Sequence, residues 1–233
     1  ESGEVLRDSD KMAWLDPYNE EVREYLAEVG RQAALAGFDE VQFDYIRFST
    51  NNSLQKAAVK AAGESSKTDI ITELAGYIYD ELSSEGVYVS ADVFGAIISS
   101  SGDAQAVGQD YAALASSLDY ICPMIYPSHY GDGNFGLDHP DLHPYETIMG
   151  ALADSKTALD TAGAETTQKT AVVRPWLQDF TASWLKNHIA YGGEEIRSQI
   201  QAVYDAGYEE WILWSASNKY HYGALESEEE QQN

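Results

Sequence analysis

Basic residues are scarce. Fourteen Lys and Arg stand against 39 Asp and Glu, a net charge of -25 over 233 residues. Phosphate binding needs a basic face, so the balance argues against nucleic acid as a partner, and against anionic membrane surfaces too. An acidic surface suits neutral or cationic ligands, and it also serves solubility or life in high salt. Cysteine is nearly missing. Cys122 is the only one, so no intrachain disulfide forms, which fits the cytosol or a secreted protein from a lineage that does without disulfides. Cys122 sits in an apolar stretch with no catalytic histidine near it in sequence and reads as a small buried side chain. No run is long and apolar enough for membrane insertion, and the opening ESGEVLRDSD has no signal-like region. Any targeting segment is expected upstream. No glycine-rich phosphate loop, nucleophile-elbow serine or paired CxxC is found, and no cofactor is implied.

What is present is enough for a folded domain. Hydrophobic residues make up 44% and aromatics 12%. The length suits one domain with a sizeable core, taken here as residues 1–224, with 225–233 as a frayed acidic tail. The pattern along it is helix then strand, repeated. Asp16-Pro17 suggests a helix start, followed by Val22, Tyr25, Leu26, Val29 and Ala33 at helical spacing and Gly37 as a left-handed stop. GFDEVQFDYIRFS (37–49) follows as a buried strand ending in an acid. Ile71, Leu74, Ala75, Ile78 and Leu82 mark a second helix, stopped by Gly86 before the strand VYVSADVF (87–94). Helices near 109–117, 145–161 and 192–208 lead to strands at 119–127, 169–177 and 209–217. AGFDEVQF (36–43) and AGYEEWIL (206–213) echo one another.

Five helix-strand units in a row predict a parallel α/β sheet whose apolar strands are covered on both faces. Without a phosphate loop, a (β/α)8 TIM-type barrel is preferred over a nucleotide-binding open sheet. The strands end in Asp44, Asp92, Tyr126, Gln178, and Ser215 with Asn218, and barrels build their active sites from those ends. Since only five units are counted, the chain is expected to cover the last five of eight, with three strands upstream of Glu1. An incomplete barrel leaves exposed edges, so self-association is a further expectation.

The run WLDPYNEEVREYLAEVGRQAALAGFDEVQFDYIRFS, followed in order by VSADVFG, CPMIYPSHY, VRPWLQDF and WILWSASN, resembles the glycosyl hydrolase domain family DUF4015 over roughly residues 12 to 220. FDYIRF with YPSHY is the more specific part. The resemblance implies a TIM-barrel protein related to glycoside hydrolases, extracellular or surface-attached, with the Asp44 strand as the fourth. Ser49 departs from the family pattern, where proline is common.

Strand alternation puts Gln42 and Asp44 on one face, and Ser90 with Asp92 on the same face of the next strand. Glycoside hydrolysis uses two carboxyl groups, and like charges held close push their pKa values apart. Asp44 is expected as nucleophile or transition-state stabiliser and Asp92 as general acid, an assignment resting partly on analogy with related barrels, with the reverse as the alternative; capping or ion pairing is the structural alternative for each. Arg47 keeps Asp44 ionised in this scheme. Tyr126, His129, Trp176, Gln178, Trp214 and Asn218 are the expected substrate contacts. The loop 129–146 holds His139, His143, Asp132, Asn134 and Asp138. Pro140 and the acid spacing argue against a metal there, so a loop over the barrel mouth is preferred. The leading function is a glycosidase acting on a carbohydrate outside the cell. A non-catalytic carbohydrate-binding barrel and a metal-dependent hydrolase are the alternatives.

Overall fold

The structure is a computed structural model that describes residues 5–61, 65–165 and 170–225. The acidic tail from Glu226 onward lies outside the described residues. In chain order the elements are α1 (Glu20–Leu35), β1 (Glu40–Phe43), α2 (Asn52–Ala61), α3 (Lys67–Ser83), β2 (Tyr88–Phe94), α4 (Ser101–Val107), α5 (Tyr111–Ala115), β3 (Tyr120–Ile125), α6 (Pro144–Glu165), β4 (Val172–Val173), β5 (Trp176–Gln178), α7 (Gly193–Asp205) and β6 (Ile212–Trp214). Every strand pairing is parallel, in the order β1-β2-β3-β5-β6, with β4 on β3.

The fourth expected strand is two short pieces. Pro175 has no N–H to give the ladder. The Arg174 N–H still donates to the Ile121 carbonyl, and the Pro175 carbonyl accepts from the Ile212 N–H, so the strand direction carries through. The sheet therefore fills five strand positions of a (β/α)8-type barrel. Among the described residues β1 pairs only with β2 and β6 only with β5, so the arc is open at both edges.

Side chains alternate as the pleat requires. Val89, Ala91, Val93, Ile121, Ile125, Val173 and Leu177 are buried under the helices. The helices face them with Ile71, Leu74, Ile78, Leu82, Leu114, Ile148, Leu152, Ile196 and Val203, and the two sets form one core. Burial of this area from water supplies most of the driving force. The opposite, concave face carries Glu40, Gln42, Ser90, Asp92, Cys122, Arg174 and Trp176. Cys122 is fully buried there, and burial raises its thiol pKa to about 12, which keeps it inert.

Three expectations change. The first helix begins at Glu20 and is capped by Asn19, whose side chain accepts from the Glu21 N–H. Asp16-Pro17 forms a turn ahead of it, with the Asp16 carboxylate accepting from the Tyr18 N–H. Tyr25 and Val29 are not core: they are 60% and 50% exposed, while Ala27 and Gly30 make the contact with α3. Gly30 lies so close to Leu82 that a Cβ would meet its Cδ1 at 2.6 Å. Finally, β1 is an edge strand with Gln42 exposed and Val41 and Phe43 half-buried, rather than a fully covered one. The glycine stops stand: Gly37, Gly86 and Gly207 have φ of 96°, 79° and 85°, the left-handed region that other residues enter at a cost.

Candidate active site

The carboxyl ends of the strands form the mouth of the arc. Gln42 pairs with Ser90 and Phe43 with Ala91, and Asp44 follows β1 directly, so the register carries it toward Asp92, on which its charge acts. Strand spacing is about 4.8 Å, which puts the two residues within reach of each other's field. Asp92 lies on a central strand and is 7% exposed. Its Oδ1 accepts from Trp176 Nε1 at 2.7 Å. Burial raises its pKa to about 7; the Trp176 bond opposes this, while the charges of Asp44 and Glu40 add to it. Asp44 differs. It follows the edge strand, is exposed, and its Oδ1 accepts from the Tyr45 N–H at 2.7 Å.

Gln109 holds the two strand ends together. It is 1% exposed; Nε2 donates to the Ile46 and Asp92 carbonyls, and Oε1 accepts from the Phe94 N–H. It gives no sequence signal beyond its place before the helix cap Asp110.

Arg47 does not meet Asp44 in a hydrogen-bonded pair. Its guanidinium lies 4.6 Å from the Phe94 ring centroid, 5.0 Å from Tyr45 and 5.2 Å from Trp14, and donates to the Phe48 carbonyl. Burial among these rings lowers its pKa, with the nearby Asp44 charge opposing. The turn that produces this arrangement is strained. Tyr45 has φ 57°, a left-handed conformation that costs a bulky residue about 1–3 kcal/mol. It leaves the Tyr45 ring in solvent, while Ile46 and Phe48 on either side of Arg47 return to the core.

Tyr126 is buried beneath the mouth. Its pKa is raised by burial first and then by the Asp92 and Asp44 charges, which places it in the field of both acids. Trp176 and Trp214 meet edge to face at 5.7 Å, with Trp214 42% exposed. Asp92 and Tyr126 thus share the field of Asp44, and Trp176, bonded to Asp92, links them to Trp214 on β6.

The other expected contacts are placed elsewhere. Gln178 is fully buried: Oε1 accepts from the Ser128 N–H, and Nε2 donates to Asp141 Oδ1 and the Phe180 carbonyl. No part of its amide faces solvent, because it braces the loop after β3. The His129 ring stands edge-on to Tyr126, Phe180 and Trp184, where burial lowers its pKa against the pull of Asp141. Asn218 is exposed in a left-handed turn after β6, its N–H donating to the Ser215 carbonyl. In the loop 129–146, His139 is tied to Asp132 by Nδ1 and to Asn187 by Nε2, and Asp141 is buried under it.

One pair escaped sequence reasoning. Asp179, 1% exposed, accepts from both the N–H and Nδ1 of His221 at 3.0 and 2.6 Å. Forty-two residues separate them, and only the fold brings them together.

The fold has counterparts among solved structures. The glycoside hydrolase domain of PgaB (BpsB) from Bordetella bronchiseptica superposes with a TM-score of 0.56 at 12% identity, covering 92% of this chain and 62% of that one. The spore cortex-lytic enzyme SleL from Bacillus megaterium QM B1551 gives 0.54 at 11%, covering 88% and 52%. A class V chitinase from Pseudomonas fluorescens Pf-5 gives 0.55 at 11%, covering 90% and 73%. At such identities the likeness shows the barrel fold. The chain spans between about half and three quarters of the length of these proteins. Comparison with curated proteins returned no match. Among the described residues no helix is long and apolar enough to cross a membrane. The family profile described as "Putative glycosyl hydrolase domain" matches residues 1–220, and the chain belongs to that family, DUF4015.

Proposed function

We propose that this domain hydrolyses glycosidic bonds of a poly- or oligosaccharide, with Asp92 as general acid and Asp44 as nucleophile or transition-state stabiliser. The observation that carries the reading is the contrast between two carboxylates at the ends of adjacent strands. Asp92 is buried with its pKa raised to about 7, so at neutral pH a large fraction holds the proton that a leaving oxygen needs. Asp44 is exposed, which in this reading leaves it open to a substrate. Family membership and the hydrolase barrels of similar fold support the same reaction class. Tyr126, Trp176 and Trp214 supply the aromatic and hydroxyl surface beside the acids, and Gln178, His129 and Asn218 shape the surrounding loops. The excess of acids is compatible with a neutral or cationic glycan. The substrate lies outside the cell in this reading, as the word cortex-lytic implies for SleL.

The test is release of reducing ends from a panel of cell-wall and matrix polysaccharides by the wild type, Asp44→Asn and Asp92→Asn. Turnover by the wild type that both variants lose while remaining folded supports the proposal. Binding without turnover in all three moves the domain to a carbohydrate-binding barrel.

A further inference from the structure

The strained turn after β1 has an outcome that the two-acid scheme does not use. The segment 8–15 and the turn after β1 line an open cavity of about 670 Å³, whose lining includes Asp44, Tyr45, Arg47, Trp14, Asp8 and Asp10. Tyr45 is 63% exposed, an unusual place for a large ring, and its backbone is held in the left-handed region to keep it there. Two groups fix the ring from below and beside. Arg47 lies 5.0 Å under it, and Trp14 stands edge-on at 6.1 Å. Trp14 is itself anchored, with Nε1 donating to Asp8 Oδ2 at 2.8 Å. A fold tolerates strain of this kind where the surroundings enforce it, and such positions cluster at ligand sites.

We infer that this cavity is a sugar-binding subsite next to Asp44, with Tyr45 and Trp14 as its aromatic wall, and that it takes uncharged or cationic pyranose rings and rejects uronic acids. The inference rests on the glycosidase reading and adds a subsite and a charge preference to it. An exposed, rigidly supported ring offers an apolar face to the C–H side of a pyranose. Three carboxylates, Asp8, Asp10 and Asp44, line the cavity against one guanidinium. That guanidinium is turned under the rings with Nη1 donating to the Phe48 carbonyl, and the three carboxylates outnumber it, so the net charge of the cavity disfavours an incoming carboxylate.

The experiment is a tryptophan-fluorescence titration of the whole chain with three probes of equal length: chitopentaose, its fully de-N-acetylated form, and pentagalacturonate. The first two are expected to bind and perturb a signal that Trp14→Phe removes, and the third to leave it unchanged. Tyr45→Gly relieves the left-handed strain, so its Tm is expected to stay level or rise while affinity falls about tenfold. A residue kept only for stability would move the other way. Tyr45→Phe restores the ring and most of the affinity. Equal binding of pentagalacturonate, no binding of either other probe, or full affinity in Tyr45→Gly would each overturn the subsite. The parent reading fails separately. A wild type that binds without cleaving keeps the subsite and loses the hydrolase; one whose cleavage is unaffected by Tyr45→Gly does the reverse.

Discussion

Two rungs of the same concave face treat their charges in opposite ways. At the amino end of the strands, Arg174 reaches Glu40 on β1 at 2.9 Å and Glu210, just ahead of β6, at 2.7 Å, and its guanidinium lies 3.7 Å from the Tyr120 ring centroid. One cation holds carboxylates from both edges of the arc. At the carboxyl end, four residues after Glu40, Asp44 stands beside Asp92, and the nearest strong donor is neutral, the indole of Trp176. Carboxylates with a cation are spent on holding the arc's curvature. Asp92, held by an indole instead of a cation, has its pKa raised by burial to about 7, a proton affinity that chemistry can use. Arg174, Trp176 and Gln178 alternate onto that face of one interrupted strand, and the change from guanidinium to indole marks where structure gives way to function.

The sharpest way to break this contrast is to remove the unpaired acid. Asp92→Asn is expected to lower turnover about 10²–10⁴-fold, the usual weight of a general acid. It is also expected to raise stability above neutral pH. The folded-state pKa of Asp92 lies near 7, above its unfolded value of 3.8, so the native state binds the proton more tightly. Stability contributed by this group therefore falls as pH rises from about 4 to 7, by up to roughly 4 kcal/mol. The asparagine is free of that cost. Thermal melts at pH 5 and pH 8 check it: the variant's advantage should grow with pH, and an equal Tm at pH 8 would mean that Asp92 is not held in an unfavourable charged state. The same acid gives the wild type an alkaline limb, with kcat falling above about pH 7.

The complementary change breaks the paired rung. Arg174→Met leaves Glu40 and Glu210 without their cation. Both are partly exposed, so the loss is discounted to about 2–3 kcal/mol in chemical denaturation. Activity per folded molecule is expected to hold within a few-fold. A collapse of activity with full stability would mean that the amino-end rung belongs to the site.

A buried acid with a partner offers a third test. Asp179→Asn keeps one acceptor for His221 but loses the charge; the expected cost is about 1–2 kcal/mol, and His221→Ala should cost similarly by removing the Nδ1 bond and leaving buried Asp179 with the backbone N–H of residue 221 alone. A double-mutant cycle measures the coupling directly.

These contrasts bear on how much could be read before the fold was seen. The parallel sheet, its five strand positions and the barrel type follow from periodicity and glycine stops, because 3.6- and 2-residue patterns survive in any context. That Asp44 and Asp92 share a face is likewise a matter of parity. What periodicity does not carry is the covering of an element. Tyr25 and Val29 fit a helical stripe yet are exposed among the described residues, while Ala27 and Gly30 on the same helix are buried. Nor does it carry where a polar side chain spends its bonds. Gln178 has the right parity for the mouth, but Ser128, Asp141 and Phe180 occupy its amide. Arg47 was expected beside the carboxylate and lies under aromatic rings, one of them Trp14, 33 residues earlier. Asp179 and His221 show the same limit.

The smallest effect is also the most specific to the unpaired rung. Trp176 Nε1 is the donor that lowers the pKa of Asp92 against the larger upward push of burial. Trp176→Phe removes that donor and keeps most of the ring's packing against Trp214. The pKa of Asp92 should then rise, so the alkaline limb of the pH-rate profile moves to higher pH, by about one unit or less, given that one hydrogen bond is worth about 1–1.5 kcal/mol. Loss of substrate stacking at Trp176 would instead raise KM without moving the limb. A limb that moves to lower pH would show that the indole does not stabilise the carboxylate, and the neutral-donor side of the comparison would fail while the Arg174 side stood.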